Sequence, residues 1–330
     1  MQNQRTRQKR FILKMAGAAM LLAGACPLLA QTYPSHVIKM VVPQGAGSMN
    51  DVIARSLGEQ ISKSLGQPVV IENKTGANGA LAAAYTLSQP ADGYTLFFAG
   101  VSNLSWNPLL YKSLGHVPER DFTGVAMVGT TPFFTLVAPS LGVRTLAELV
   151  GKAKAEPGKI SFASAGVGNS THLATELVMA RTGMQLQHVP FGPATVGTLI
   201  TSLMTGQTPV MTTVPGGISE VVKSGKLVAL AVTGESRLAD FPEVPTYKEL
   251  GFDVAVPGWL AVVARKGTPD DVVQRLNAEI NKALDTPERK KRMAAQYLEP
   301  IKGPPSDVLR LTRRDADAWR PLIEQLNIAQ

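Results

Sequence analysis

The chain is poor in the groups that metal and redox chemistry need. Of its 330 residues, one is cysteine and four are histidine. His36, His116, His172 and His188 show neither a His-Glu-x-x-His pattern nor any other paired ligand spacing. No metal and no cofactor is therefore expected. Acyl-transfer motifs are missing too. Gly100-Val101-Ser102-Asn103-Leu104 and Gly217-Ile218-Ser219-Glu220-Val221 both lack the final glycine of a nucleophile elbow, and no lysine lies three residues after a serine. The apolar run Met15 to Leu29 falls short of the roughly 20 residues that span a bilayer.

That run reads instead as part of an export signal over residues 1–30. Arg5, Arg7, Lys9, Arg10 and Lys14 precede it, and small residues follow near Ala30. Ala23-Gly24-Ala25-Cys26 resembles a lipoprotein cleavage box, with alanine where leucine is preferred; ordinary cleavage near Ala30 is the expectation. The destination is then the periplasm, and the mature chain keeps no cysteine. Removing five basic residues takes the cations from 33 to 28 against 25 anions, so a formal +8 becomes +3. This leaves no concentrated basic surface for nucleic acid. The cluster Arg289-Lys290-Lys291-Arg292, beside Glu288, is expected on a solvated helix face.

What the chain does have is alternation. Val37 to Val42 is a β-forming run, followed by a helix with Ile53, Leu57, Ile61 and Leu65 on one face. Val69 to Ile71 leads through Lys74 to Gly79 into an alanine-rich helix, and Tyr94 to Phe98 leads into Ala99 to Asn103. A second series starts near Pro132. Its candidate strands are Phe133–Val137, Ile160–Ala163, Gln185–Val189, Pro209–Thr213 and Leu227–Val232. Between them, helices open at Thr145 with Glu148 completing a capping box, at Ser170 or Thr171, and near Thr195. Leu260 to Ala264, after Pro257-Gly258-Trp259, is a candidate return to the first sheet. The fold class is α/β, with two lobes that each hold a mostly parallel sheet flanked by helices, and with a cleft between them. The expected division is 31–132 for the first part of lobe one, 133–256 for lobe two, and 257–330 for the return and the C-terminal helices.

The turns that follow the strands carry the functional reading. Pro43-Gln44-Gly45-Ala46-Gly47-Ser48 has no Lys-Ser or Lys-Thr for a Walker loop, and Asn50 stands where a dinucleotide fingerprint needs its third glycine. Ser48 and Asp51 are spaced as a capping box. Backbone amides at a helix N-terminus without a cation suit a carboxylate better than a polyphosphate. Comparable turns follow at Thr75-Gly76-Ala77-Asn78-Gly79, at Ser102-Asn103, and at Ser164-Ala165-Gly166-Val167-Gly168-Asn169. Turns after strand C-termini line the ligand crevice of open α/β sheets. Ser102, Asn103, Asn169 and His172 are candidate ligand contacts by this reading. His188 reads as structural, Trp259 as packing at the return between lobes, and Lys74 as a solvated loop lysine.

These segments also resemble a known family. Tyr33-Pro34-Ser35, Leu65 to Lys74, Ala91 to Leu96, Asn107 to Tyr111, Lys159 to Gly166, His188-Val189-Pro190-Phe191, Gly225 to Thr233 and Pro242 to Thr246 look like the Bug family. Its members are extracytoplasmic solute-binding proteins of tripartite tricarboxylate transporters. The resemblance implies a clamp that closes on a small organic acid and hands it to a large and a small membrane subunit. By position it points to Gln44, Gly45, Ala46, Gly47 and Ser48, and to Thr75 to Gly79. In lobe two it points to Ser164, Ala165, Gly166 and Gly168, and to Phe191, Ala194 and Thr213. Relatives commonly carry a basic residue and a glycine after the His-Val-Pro-Phe segment, where this chain has Gly192-Pro193. A monomer is expected. An enzyme using the cleft, such as an esterase or lyase, and a sensing partner of a membrane kinase stay open at this point.

Overall fold

The computed structural model describes residues 33–192, 196–254 and 256–328. The export signal, Cys26, Ala194 and the helix start near Thr195 lie outside those residues. A compact unit begins at His36 and holds every described strand and helix.

In chain order its strands are β1 (Ile38–Val42), β2 (Val69–Asn73), β3 (Thr95–Gly100), β4 (Phe122–Thr131), β5 (Phe134–Val137), β6 (Ser161–Ser164), β7 (Gln187–Pro190), β8 (Val210–Thr213), β9 (Val228–Val232), β10 (Gly258–Arg265) and β11 (Glu299–Pro300). The longer helices are α1 (Met49–Leu65), α2 (Ala80–Ser88), α3 (Leu146–Ala155), α4 (Ser170–Thr182), α5 (Val196–Met204), α6 (Asp270–Leu284), α7 (Pro287–Ala294) and α8 (Ser306–Leu326).

Two mixed sheets result, with strand orders β11-β4-β10-β3-β1-β2 and β7-β6-β8-β5-β9. They define lobe one and lobe two. Parallel pairing joins β1 to β2 and β3, and β6 to β7 and β8. The mostly parallel expectation misses the strands that carry the chain between lobes. β10, returning from lobe two, runs antiparallel between β3 and β4, and β5, entering lobe two, runs antiparallel between β8 and β9.

Burial follows the patterns that form the elements. β3 and β10 are apolar along nearly their whole length and lie inside the first sheet, buried on both faces. Ile53, Leu57, Ile61 and Leu65 of α1 are all buried, each worth roughly 1.5–3 kcal/mol of transfer free energy. The long strand β4 is absent from the sequence expectation. Two glycines interrupt its run, and one of them makes room for α8: a Cβ on Gly124 would come within 2.9 Å of Val308 Cβ.

The two passages between lobes are tied together. Phe133 N–H donates to Thr233 Oγ1 at 2.9 Å, Thr233 N–H donates to Phe133 O at 2.9 Å, and Thr233 Oγ1 donates to Val256 O at 2.8 Å. Trp259 follows directly, and its Nε1–H donates to Asp315 Oδ2 of α8 at 2.6 Å. Among the described residues no helix is long and apolar enough to cross a membrane.

Candidate functional site

The turns after β1, β2 and β3 meet one another. Gly79 has φ +88, and a Cβ there would sit 2.9 Å from Pro43 Cβ and collide with Asn103 Nδ2, so only glycine lets the second turn press on the other two. Asn103 is buried in a π-helical turn over Ser102–Trp106. Its Nδ2 donates to Asn78 O at 2.9 Å, and its Oδ1 accepts from Gly100 N–H at 3.0 Å. Ser102 is buried in the same turn, whereas Thr75 and Ala77 are exposed.

The opening loop is built differently from its sequence reading. Ser48 caps α1 by accepting from Asp51 N–H at 3.3 Å, but the Asp51 carboxylate reaches Gly47 N–H at 2.9 Å instead of closing the box on Ser48. Ser48 N–H donates to Gly45 O at 3.2 Å. The amides of Gly47 and Ser48, expected to face a ligand, are therefore occupied. Those of Gly45, Ala46, Met49 and Asn50 have no hydrogen bond among the described residues.

Nor does the loop stand apart from a cation. Arg55 Nε donates to Asp51 Oδ2 at 3.0 Å, and its Nη2 donates to Asn73 Oδ1 at 2.9 Å. Burial alone would raise the Asp51 pKa, but the Arg55 hydrogen bond, the Gly47 amide and Asn73 outweigh it and hold it below the usual carboxylate value. Gln44 completes this base, with its Oε1 accepting from Asn50 Nδ2 and its carbonyl from Asn73 Nδ2. Lys74 is spent locally: its Nζ lies 3.6 Å from Glu72 and 4.0 Å from the Tyr85 ring centroid.

In lobe two, the turn after β6 largely satisfies its own amides. Ala165 N–H donates to Thr171 Oγ1 at 2.9 Å, Gly166 N–H to Ser164 Oγ at 3.1 Å, and Asn169 N–H to Gly166 O at 3.2 Å. Asn169 caps α4, accepting from Thr171 N–H at 3.1 Å.

His172 is a core residue with 2% of its surface exposed. Its Nδ1 accepts from Gly168 N–H at 3.1 Å, so the ring proton sits on Nε2, which faces Glu176 Oε1 at 3.3 Å. Both nitrogens are thus used, and the ring shapes the turn instead of offering a donor to a ligand. It stacks on His188 with centroids 3.9 Å apart. Burial, and then His172, push His188 down to about 4. The neutral His188 ring places Nε2 2.6 Å from Ser164 Oγ, whose hydroxyl also lies 3.2 Å from Gly166 O.

Phe191 N–H donates to Ser164 O at 2.9 Å, which places Phe191 beside this turn. Thr213 pairs with Phe134 in the sheet, away from the hydrogen bonds that hold the predicted turns. The turn just after it does reach across: a Cβ on Gly216 would lie 3.3 Å from Met49 Sδ of α1. Sequence reasoning misses Val214-Pro215-Gly216-Gly217, although a strand followed by Pro-Gly-Gly and a helix is the same signal that marks the other turns. A depression of about 600 Å³ along α5, lined by Thr198, Thr201, Thr205 and Gln207, shares only Phe191 with the predicted residues. Among the described residues no cluster of His, Cys, Asp or Glu could hold a metal.

The basic run is also corrected. Arg289 is 1% exposed, donating to Ser56 Oγ at 2.6 Å and to Ile53 O at 3.0 Å, while Arg292 pairs with Glu288 at 2.9 Å on the surface.

Comparison with known proteins places this geometry among relatives. Residues 53–328 match the model of the tripartite tricarboxylate transporter family receptor. Protein BugT of Bordetella pertussis is 35% identical over 95% of this chain and 97% of its own. The solved structure of R. palustris Rpa4515 with adipate is 28% identical, with a TM-score of 0.84 over 90% of this chain and 99% of that one. MatC from Rhodopseudomonas palustris with bound malate is 26% identical, with a TM-score of 0.81 over 88% and 100%.

Proposed function

The chain belongs to the tripartite tricarboxylate transporter receptor family, and from that premise we propose that it captures a small organic carboxylate in the interlobe cleft and delivers it to the transporter's membrane subunits. It works in the periplasm as a monomer after removal of the signal over residues 1–30. Lobe one comprises 31–132 and 257–330, and lobe two 133–256. The ligand contacts are drawn from Gln44 to Ser48, the Met49 and Asn50 amides, Thr75 to Gly79, Ser102, Asn103, Ala165 to Gly168, Asn169, Phe191, Ala194 and Thr213. Adipate and malate in the two solved relatives support the ligand class.

The observation that carries this reading is the convergence of the strand-end turns. Turns from β1, β2 and β3 press on one another at Gly79, and the α1 N-terminus among them keeps the Met49 and Asn50 amides unused. Such amides attract anions through hydrogen bonding and the helix dipole together.

One contact favours the enzyme reading: the Ser164 hydroxyl touches His188. Ser164 is 0% exposed and accepts from Gly166 N–H as well. A nucleophile has to reach its substrate. Turnover is therefore not part of the proposal.

The test is thermal unfolding against a panel of dicarboxylates, tricarboxylates, acidic amino acids and aromatic acids, with product analysis of each mixture. A ligand at 100 times its dissociation constant adds about 2.7 kcal/mol. One chemical class should stabilise strongly and be recovered unchanged. Absence of a shift with every acid, or conversion of one of them, would overturn the proposal.

A further inference from the structure

Asn78 joins the two lobes. Its Nδ2 donates to Asn107 Oδ1 at 2.8 Å in lobe one and to Gly168 O at 3.0 Å in lobe two. Its Oδ1 accepts from Asn169 Nδ2 at 3.3 Å. The Asn78 carbonyl is held within lobe one, by Asn103 Nδ2 at 2.9 Å and Asn107 Nδ2 at 3.0 Å. The backbone stays with lobe one while most of the side chain's bonding reaches lobe two.

The conformation that makes this reach is costly. Gly76, Ala77, Asn78 and Gly79 have φ of 130°, 45°, 48° and 88°. Two consecutive residues with side chains therefore sit in the left-handed region, which asparagine tolerates better than alanine. Such strain persists only where surrounding contacts determine it. Here the contacts are the two asparagine amides on the Asn78 carbonyl and the two bonds across the cleft.

Both ends of the bridge are fixed. In lobe two, Gly168 N–H is anchored on His172 and Asn169 caps α4. In lobe one, the turn bears on Pro43 through Gly79 and so on the loop that leads into α1. A change at Asn78 has a direct packed route to that loop.

We propose that Asn78 is a positioning residue that latches the lobes together and makes the ligand-gripping shape of the first-lobe turns conditional on closure. This rests on the proposed clamp. When the lobes part, the 76–79 turn loses the Gly168 and Asn169 bonds that help hold its strained conformation. It relaxes, and its hold on the Pro43 loop goes with it. Closure and capture then become one coupled equilibrium, because whatever stabilises the closed state also orders the turn.

The experiment is small-angle scattering of the ligand-free full chain. Asn78→Gly removes the bridge while relieving the backbone strain, and Asn78→Asp keeps shape but loses the donor toward Gly168 O. Ser88→Ala, an exposed change at the far end of α2 and outside the proposed contacts, is the control. Both Asn78 variants should scatter with a larger radius of gyration than the parent and the control, with circular dichroism unchanged. If Asn78→Gly unfolds, Asn78→Asp alone decides. A folded Asn78 variant with the parent's radius overturns the latch. The readout needs no ligand, so its failure is distinguishable from failure of the carboxylate panel.

Discussion

Gly47 donates its backbone N–H to Asp51 Oδ2 at 2.9 Å, so one amide of the opening loop is already held by a carboxylate of the chain itself. The same carboxylate accepts from Asn73 Nδ2 at 2.8 Å and pairs with Arg55 at 2.9 Å. It is an internal anion that shapes the turn from below.

Asp51→Ala should consequently lower stability by about 2–3 kcal/mol, because charged hydrogen-bond partners are lost and the groups left behind are partly buried. Asp51→Asn should lose less. Urea midpoints of the two variants check this, and an Asp51→Ala midpoint equal to the parent's would mean that the knot contributes nothing.

The stacked histidines set a pH window. His188 is held at about 4, below its ordinary value of 6.5, by burial and by His172, which itself faces Glu176. The unfolded chain therefore binds the proton first as pH falls. The contribution of the neutral ring is complete above about 6.5 and is lost as pH drops toward about 4. His188→Gln keeps a hydrogen-bonding partner for Ser164 but cannot titrate. Unfolding curves between these limits should fall less steeply for the variant, and parallel curves would assign the loss to other groups. Asp51, Glu72, Asp121 and Asp285 have lowered pKa values, so their losses come at lower pH.

Arg289 sits between α7 and α1 with no acidic partner among the described residues, and its Nε has no hydrogen-bond partner there. Burial, then Arg292, lower its pKa to about 10. A buried guanidinium without a counterion is a poor contributor to stability. Arg289→Met, of similar length, should hold stability within about 1 kcal/mol of the parent, whereas Arg289→Ala should lose about 2–4 kcal/mol through the cavity it leaves. Equal losses in both would show that the hydrogen bonds to Ser56 and Ile53 matter more than the packing.

What is legible in the chain is what local periodicity writes. Ile53, Leu57, Ile61 and Leu65 repeat every four residues, and α1 buries that face. The β-branched runs at Val228–Val232 and Gly258–Arg265 are strands within one or two residues of their expected limits. The misses are long-range. Arg289 looks solvated beside Glu288, and only its bond to Ile53, 236 residues away, shows that it is buried. β4 is obscured by Gly124, whose missing side chain makes sense once α8 is seen against it. At the site, the positions of the turns can be read, but not which amides they leave unused. That depends on Asp51, Thr171 and His172 side chains folding back onto them.

The grip itself can be tested at Met49, the first residue of α1. Its amide is one of those left unused, and proline is well accepted at a first helical position because its missing N–H costs the helix nothing. Ser48 has φ −67° and ψ 161°, the extended conformation that a residue before proline adopts. Met49→Pro therefore deletes one unused amide of the α1 N-terminus with little disturbance of the helix. Met49→Ala controls for the lost side chain near Gly216. With the acid that stabilises the parent most, Met49→Pro should bind more weakly than Met49→Ala by about 1.5–3 kcal/mol, the range for a hydrogen bond to a charged group. Calorimetry measures the difference, and thermal unfolding confirms equal stability of the two variants. If the two bind equally well, the Met49 amide does not hold the carboxylate, and the grip belongs to the Asn50 amide or to the 76–79 turn.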